Sequence, residues 1–172
     1  MDKNDFQIDG KKFREAMSNL SAAVNIVTTN GPLGIAGFTA SAICSVSDSP
    51  PTLLVCLNRS SSFYNIFKEN GVLCINTLAA NQENLSIVFG GKTPMSQRFS
   101  YAHWEELITT APILKNALVS FDCKIDSFLS VGSHDVIFCK VLAIKSNAAE
   151  RDALIYFKRK YCKVETFITK IA

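Results

Sequence analysis

The chain has 172 residues, of which 48% are hydrophobic and 19% charged, and its formal net charge is +3. This length predicts a single domain over residues 1–172, with a core large enough to fold without disulfides. The small, scattered charge does not indicate nucleic-acid binding, and no window approaches the roughly 20 apolar residues of a membrane span. The polar N-terminus contains no signal peptide, so we expect a cytoplasmic protein that acts on neither membranes nor nucleic acids.

The positions of the cysteines also favour the cytosol. The six cysteines stand at positions 44, 56, 74, 123, 139 and 162, and no two have the Cys-x-x-Cys spacing of structural zinc sites. Most lie inside apolar runs, which is typical of buried free thiols in a reducing cytosol. We therefore predict no metal site.

The first third of the chain predicts one helix and two strands. Apolar residues at 13, 16, 17 and 20 predict a helix over 13–20, with Arg14 and Glu15 on its solvent side. A β-branched run predicts a strand over 23–29, and Asn30-Gly31-Pro32 is a turn signal. We expect the second strand over 34–46.

The middle of the chain alternates strands and helices. Two prolines in the segment 48–51 predict a break in the sheet. The continuous apolar run 52–57 then predicts a strand buried on both faces. We expect a helix over 61–69 that ends at Asn70-Gly71, a strand over 72–78 and a second helix over 81–89.

The last third predicts mostly strands. We expect a loop over 90–104, a short helical or turn segment at Ala111-Pro112, and strands over 117–128, 135–144 and 154–157. In the first of these strands Asp122, Lys124 and Asp126 lie on the face opposite the apolar residues. About seven strands joined by turns favour an antiparallel barrel, although two strand-helix-strand units between 52 and 89 keep an α/β fold as the alternative.

One glycine motif resembles a phosphate-binding loop but lacks the required context. The block Phe89-Gly90-Gly91-Lys92-Thr93 needs a glycine five residues before Gly91, where Ser86 stands, and it follows a predicted helix rather than a strand. We therefore reject nucleoside triphosphate hydrolysis. The glycines at 31, 34 and 37 do not form a dinucleotide-binding fingerprint either.

Small polar residues border the two central strands. Thr39-Ala40-Ser41 and Asn58-Arg59-Ser60-Ser61-Ser62 let a flat ligand approach the backbone, and the second run lies where a strand ends and a helix begins. Free amides and hydroxyls there favour an anion. The combination indicates a bound phosphorylated heterocycle; the alternative for the second run is a helix cap with a solvated arginine.

His134 is the candidate catalytic side chain. It follows Gly132 and Ser133 at the start of a strand, which makes it accessible, and Asp135 is close enough in sequence to raise its pKa. The alternative is a structural histidine. His103, beside Trp104, is predicted to be a surface or packing residue.

Taken together, these residues resemble the short-chain NAD(P)H:flavin reductases, which supply reduced flavin to two-component monooxygenases. The resemblance covers residues 13–161. Its blocks are Ala-Val-Asn-Ile-Val-Thr-Thr at 23–29, Gly-Phe-Thr-Ala-Ser-Ala at 37–42, Ser-Pro-Pro-Thr-Leu-Leu-Val-Cys-Leu-Asn at 49–58, Leu-Cys-Ile-Asn-Thr-Leu at 73–78, Phe-Gly-Gly-Lys-Thr-Pro-Met at 89–95, Arg-Phe at 98–99 and Gly-Ser-His-Asp at 132–135. Some blocks look like the reductases of pyrimidine-degrading monooxygenase systems, whereas Leu-Ile-Tyr-Phe-Lys-Arg at 154–159 looks equally like the reductase component of 4-hydroxyphenylacetate 3-monooxygenase.

The resemblance implies a mainly β fold, a six-stranded antiparallel Greek-key split barrel with short peripheral helices, that binds FMN at a homodimer interface. It implies hydride transfer from NADH to FMN and a flavin-dependent monooxygenase as partner, with NADPH and FAD as the alternative ligands. The implied flavin contacts are Thr39, Ala40 and Ser41 at the ring edge, Cys56, Leu57, Asn58, Ser60 and Ser62 towards the ribityl phosphate, and Asn76, Thr77, Leu78 and Phe99 around the ring. The implied contacts to the nicotinamide substrate are His134, Phe157 and Tyr161. Ser133 stands where the family's Gly-Asp-His motif has aspartate.

Three other functions stay open at this point. The first is a flavin-binding protein without turnover, and the second is a structural dimer. The third is an oxidase of the pyridoxamine-phosphate type, which needs a denser set of basic residues than Arg59, Lys92 and Arg98 provide.

Overall fold

Antiparallel strands are the main secondary structure of the molecule. The structure, a computed structural model, describes residues 8–147 and 151–165. Within these ranges the strands are β1 Ala22–Ala23, β2 Asn25–Thr29, β3 Ala36–Ala40, β4 Ile43–Asp48, β5 Pro51–Asn58, β6 Val72–Thr77, β7 Trp104–Glu105, β8 Ile113–Leu114, β9 Val119–Val131, β10 His134–Ser146, β11 Ala153–Phe157 and β12 Lys160–Val164. The helices are α1 Gly10–Met17, α2 Tyr64–Asn70, α3 Glu83–Gly90 and α4 Met95–Arg98, with 3₁₀ turns at Ala80–Gln82 and Phe99–Tyr101. The expectation of a mainly β fold with short helices is confirmed.

The main sheet closes on itself. Its strand order is β3-β2-β6-β9-β10-β5-β4, so β3 and β4 stand at opposite ends. Yet only Ser41 and Ala42 separate these two strands along the chain. A connection this short requires the two ends of the sheet to meet, which curls the sheet into a barrel. The sheet has seven strands rather than six because the predicted 34–46 strand divides at this corner. β1, β11 and β12 form a second sheet, and β7 pairs with β8.

The segment 48–51 makes a hairpin turn rather than a break. β4 ends at Asp48 and β5 begins at Pro51, with a cis peptide bond between Ser49 and Pro50. Proline is tolerated as the first residue of a strand, where its missing N–H removes no interior ladder bond. The two strands therefore pair directly, with Asp48 opposite Pro51.

The N-terminal helix differs from its prediction. α1 begins three residues early, at Gly10, where the Asp9 carboxylate accepts a hydrogen bond from the Lys11 amide at 3.0 Å. No residue of α1 is buried, and Phe13 is 56% exposed. The predicted apolar face exists but does not pack into the barrel. α2 ends as predicted, because Gly71 adopts the left-handed conformation with φ of 68°.

The barrel interior holds the main core. Its aromatic centre is Phe38, Phe63 and Phe67, with Phe38 and Phe67 rings edge to face at 5.2 Å. A second cluster, which includes Phe89 and Leu154, packs between the barrel and the smaller sheet.

None of the described helices is long and apolar enough to cross a bilayer.

Three predictions about the strands are wrong. β5 is buried on its inner face only, and Leu54 and Cys56 on its outer face stay partly exposed. Asp122 is fully buried and accepts hydrogen bonds from the Ile108 and Thr109 amides, each at 2.8 Å. β12 escaped prediction because the tight turn before it is formed by Lys158 and Arg159 in left-handed conformations, without the usual glycine.

Asn76 lies at the centre of the sheet and not at its surface. Its side-chain amide donates to the Ile26 carbonyl at 3.1 Å, and its side-chain oxygen accepts from the Leu114 amide and the Ser120 hydroxyl, both at 2.8 Å. The residue has no exposed surface. Asn76 therefore joins β2, β6, β8 and β9 through one side chain.

We predict that Asn76→Ala lowers the free energy of unfolding by about 2–4 kcal/mol, because several buried partners lose their bonds. Urea denaturation measures this loss, and Asn81→Ala at an exposed position is the control. We also expect the variant, at a temperature where it is folded, to keep the affinity of the unaltered protein for flavin. A selective loss of flavin binding with unchanged stability would contradict the structural role.

Candidate active site

A cavity of about 390 Å³ lies at the corner where the barrel closes. Its size falls within the range of small-molecule sites. Residues of β3, β5, α3, α4 and the start of β10 meet there, together with residues of the loops that follow β3, β5 and α3. They are Phe38, Thr39, Ala40, Ser41, Ala42, Cys56, Leu57, Asn58, Ser61, Phe63, Phe89, Gly90, Gly91, Arg98 and His134. Seven of the predicted site residues are thus brought together: Thr39, Ala40, Ser41, Cys56, Leu57, Asn58 and His134.

Strand register places the two ends of the predicted site side by side. His134 is directly opposite Asn58 in the pairing of β10 with β5. Side chains of opposite residues project from the same face of a sheet. The candidate catalytic histidine and the candidate phosphate-binding segment therefore share one wall of the cavity, although they lie far apart in the sequence.

The segment 58–62, here called the serine loop, is organised by Asn58. The Asn58 side-chain oxygen accepts bonds from the amide and the hydroxyl of Ser60, both at 2.9 Å. Ser61 lines the cavity, whereas Ser62 is exposed next to it. The hydroxyl-rich part of the loop therefore borders the cavity at the start of α2.

Glycines and one buried arginine form the opposite wall. A Cβ on Gly91 would lie 2.7 Å from the Ile87 carbonyl oxygen, and one on Gly90 would lie 3.3 Å from the Thr39 side chain. These glycines allow the end of α3 to pack closely on β3, which is the structural reason for the motif that resembled a phosphate-binding loop.

Arg98 fixes this wall. Its guanidinium donates to the carbonyls of Thr93, Gly37, Phe89 and Gly91 at 2.7–3.1 Å, and burial lowers its pKa. All four acceptors are backbone atoms, so Arg98 ties β3, α3 and the following loop together. Its bonds leave it unsuited to serve as a phosphate ligand.

His134 is exposed at the cavity rim, and its Nδ1 lies 2.9 Å from the Ser133 hydroxyl. The Asp135 side chain points to the other face of β10, away from His134, and makes contacts there. Asp135 accepts hydrogen bonds from the Tyr64 hydroxyl at 2.5 Å and the Ser130 hydroxyl at 2.7 Å.

These bonds shift two pKa values in opposite directions. The hydrogen bond from Tyr64, followed by that from Ser130, lowers the pKa of Asp135, and the same contact raises the pKa of Tyr64. A lowered carboxyl pKa stabilises the fold above the ordinary aspartate pKa. That contribution is lost as the pH falls through the lowered value of the folded state.

Six predicted flavin contacts are not in the cavity lining: Ser60 and Ser62 lie beside it in the serine loop, and four others lie farther away. Asn76 and Leu78 have no exposed surface, and the Thr77 hydroxyl donates to the Asn25 side chain at 2.7 Å. Phe99 packs behind the cavity against Phe89, with ring centroids 5.2 Å apart. Asn76 and Thr77 lie on β6, which is buried on both faces, and Leu78 directly follows it; sequence alone did not distinguish this strand from a ligand-facing edge.

The two remaining predicted substrate contacts lie on the other side of β3. Tyr161 lines a separate cavity of about 150 Å³ that shares Thr39, Ala40 and Ser41 with the first. Its hydroxyl lies 2.9 Å from the Ser86 hydroxyl. Phe157 is half-buried on β11, and the Lys158 ammonium lies 5.5 Å from its ring centre.

Sequence reasoning missed several wall residues. Phe63 stacks on Phe38 with ring centroids 5.3 Å apart and faces the cavity. Phe89, Gly90, Gly91 and Arg98 belong to blocks of the family resemblance, but they were not predicted as wall residues.

The cysteines divide between core and surface. Cys74, Cys123 and Cys139 are buried, as predicted, and burial raises the pKa of each, to about 12 for Cys139. Cys44 is exposed, contrary to the prediction, because it lies on the outer face of β4. Cys56 lines the cavity, and partial burial raises the pKa of its thiol.

Comparison with known proteins identifies the family and the relatives of this chain. Residues 17–165 match the family described as "Flavin reductase like domain". The chain is 60% identical to the FMN reductase (NADH) RutF of Acinetobacter baylyi over 157 residues, which cover 91% of this chain and 83% of the relative. It is 58% identical to the FMN reductase (NADH) RutF of Serratia proteamaculans, over 90% of this chain and 87% of the relative.

Among solved structures, a putative flavin reductase of Haemophilus somnus superposes with a TM-score of 0.88 at 46% identity, over 91% of this chain and all of that one. The family match covers most of the chain, and the two relatives are similar over nearly its whole length. The chain therefore belongs to the flavin reductase-like domain family.

Proposed function

We propose that this protein is an NADH-dependent FMN reductase that supplies reduced flavin to a partner monooxygenase. The observation that carries the proposal is the register of β5 and β10, which places Asn58 and His134 on one wall of the corner cavity. Asn58 and the loop after it offer amide and hydroxyl groups for a phosphate. His134, on the neighbouring strand, offers an accessible imidazole for the second ligand.

The residues present fit a flavin. Thr39, Ala40 and Ser41 are small enough for a flat ring to reach the backbone, and Phe63 and Phe89 provide apolar walls. Within the described residues β3 pairs with β2 alone, so the other side of its backbone has no strand partner. Gly37 is engaged there by Arg98 and Met95, and the backbone towards Ser41 is available for the ring edge. Backbone groups of this kind bind the polar edge of a heterocycle without any charged side chain.

The cosubstrates supply the redox chemistry, in which a hydride passes from the nicotinamide to the flavin. This chain's residues bind and orient. The edge of β3 holds one ring, and His134 at the rim positions the other. Arg98 keeps the glycine wall rigid, and Phe63 and Phe89 exclude water from one side of the cavity.

The relatives support the choice of ligands. Both are FMN reductases that use NADH, at 58–60% identity to this chain. The pyridoxamine-phosphate oxidase alternative is not supported, because the bonds of Arg59 and Arg98 engage them with the protein and Lys92 is exposed outside the cavity lining.

We further propose that the protein is a homodimer. Direct cross-strand neighbours on the outer face of the sheet form apolar rows, namely Cys56, Val136 and Leu129, and next to them Cys44, Leu54 and Phe138. Leu129 and Val131 are 55% and 57% exposed. Such a patch on a single chain is typical of a surface that another subunit covers. It continues into the row of Asn58 and His134, so a second copy seated there would border the cavity.

We expect the purified protein to sediment at twice the mass of its chain. Leu129→Lys places a charge in the apolar rows, so its sedimentation should shift towards the monomer and its Tm should fall. Ile108→Lys, at an exposed loop position outside these rows, is the matched control and should stay dimeric. A monomeric unaltered protein contradicts the dimer.

The reductase activity is tested by following NADH absorbance after FMN is added. His134→Ala should raise the KM for NADH about tenfold and leave the Kd for FMN within about twofold, because His134 contacts only the nicotinamide. His103→Ala, at an exposed position outside this cavity, is the control. Flavin binding without NADH oxidation by the unaltered protein would instead favour a flavin carrier.

The serine loop is tested by the combined replacement Ser60→Ala, Ser61→Ala and Ser62→Ala. Removal of three hydroxyl donors should raise the Kd for FMN about tenfold and leave that for riboflavin nearly unchanged, because riboflavin has no phosphate. Quenching of flavin fluorescence measures both constants. Equal weakening of the two ligands places the phosphate elsewhere.

A further inference from the structure

Asp135 is a buried carboxylate that borders the cavity without lining it. The residue is only 3% exposed. It follows His134 in β10, and neighbouring side chains of a strand project to opposite faces. His134 therefore faces the cavity, and Asp135 faces the end of the barrel. A buried carboxylate is costly unless its oxygens are bonded, so its partners define its role.

The partners of Asp135 come from three separate segments. Tyr64 lies at the start of α2 and Ser130 lies on β9, and both hydroxyls donate to the carboxylate. Arg59, in the serine loop, has a guanidinium nitrogen 3.5 Å from the same carboxylate. One side chain thus joins α2, β9 and the serine loop.

Arg59 extends this cluster to the turn that carries His134. Its guanidinium donates to the Gly132 carbonyl, and its backbone amide donates to the Ser133 carbonyl at 3.0 Å. Arg59 is therefore engaged with the protein on both sides. The alternative of a solvated arginine at this position does not describe Arg59, because its guanidinium contacts Asp135 and Gly132.

The cluster joins two neighbouring segments at one wall of the cavity. The serine loop carries the proposed phosphate donors, and the turn carries the proposed nicotinamide contact. In a network whose members are all bonded, the relative positions of the joined segments are restricted to one arrangement. Loss of the carboxylate releases Tyr64, Ser130 and Arg59 together and removes this restriction.

We propose that Asp135 is a positioning residue that holds the serine loop and the His134 turn at one separation, with Arg59 as a brace and not a phosphate ligand. The proposal rests on the proposed function, since it uses the roles of the serine loop and His134. It adds a prediction that neither role makes: one residue outside the cavity lining controls the binding of both ligands.

Asp135→Asn tests this, because the amide keeps the shape of the side chain but loses its charge and one acceptor oxygen. We expect the Kd for FMN and the KM for NADH both to rise, about three- to tenfold, while kcat at saturation stays within about twofold. His134→Ala moves only the NADH constant and the triple serine replacement only the FMN constant. Asp126→Asn is the matched control, since Asp126 lies on β9 and pairs with Lys140 at 2.6 Å on the surface. It should change neither constant.

The results separate the two proposals. If Asp135→Asn moves only one constant, moves neither, or lowers kcat alone, the positioning role is overturned. If His134→Ala and the triple serine replacement fail to show their separate effects on NADH and FMN, the proposed function fails instead. Tyr64→Phe removes one bond of the cluster and should show the same double effect in smaller measure, which keeps the test available if Asp135→Asn does not fold.

Arg59→Gln tests the brace directly. Equal weakening of FMN and riboflavin supports a brace. Selective loss of FMN makes Arg59 a phosphate ligand and overturns that part of the proposal.

Discussion

The closure of the sheet at Ser41-Ala42 is the constraint on which the rest of the structure depends. Two residues cannot separate β3 from β4 by the width of an open sheet, so the ends must meet. The corner continues the pairing of β4 with β5, because the Cys56 amide donates to the Ala42 carbonyl at 3.2 Å. Where the ends meet the ladder is incomplete, and the cavity occupies this gap. The short connection between β3 and β4 therefore accounts for both the closed barrel and the position of the cavity.

Local chemistry made much of the fold predictable. The β-branched run that forms β2 and the glycine that ends α2 each act through backbone restrictions visible in the sequence. The prolines at 50 and 51 marked a change of direction, but they form a hairpin turn rather than the predicted break. The division of the 34–46 segment was not visible, because it depends on which strands lie at the two ends of the sheet. The same limit applies to α1, whose apolar spacing was read correctly but whose partner is not the barrel.

The site was predictable where its residues face outward from paired strands. Asn58 and His134 were found from local context, and the register explains why both belong to one wall. Asn76 was placed at the flavin because its block resembles the family, yet its hydrogen bonds show a residue of the sheet interior. Arg98 and Asp135 were missed as structural parts of the site, because each acts through contacts between segments that sequence spacing does not reveal.

The position of Cys56 bears on the sensitivity of the protein to oxidation. Reduced flavin in air generates hydrogen peroxide, and Cys56 lies in the wall of the cavity where the proposed reduction occurs. Peroxide attacks thiolates and not thiols. Burial raises the pKa of the Cys56 thiol, which lowers the fraction of thiolate that peroxide can attack. The wall thus has a compact, polarisable side chain that is less readily oxidised than an exposed thiol.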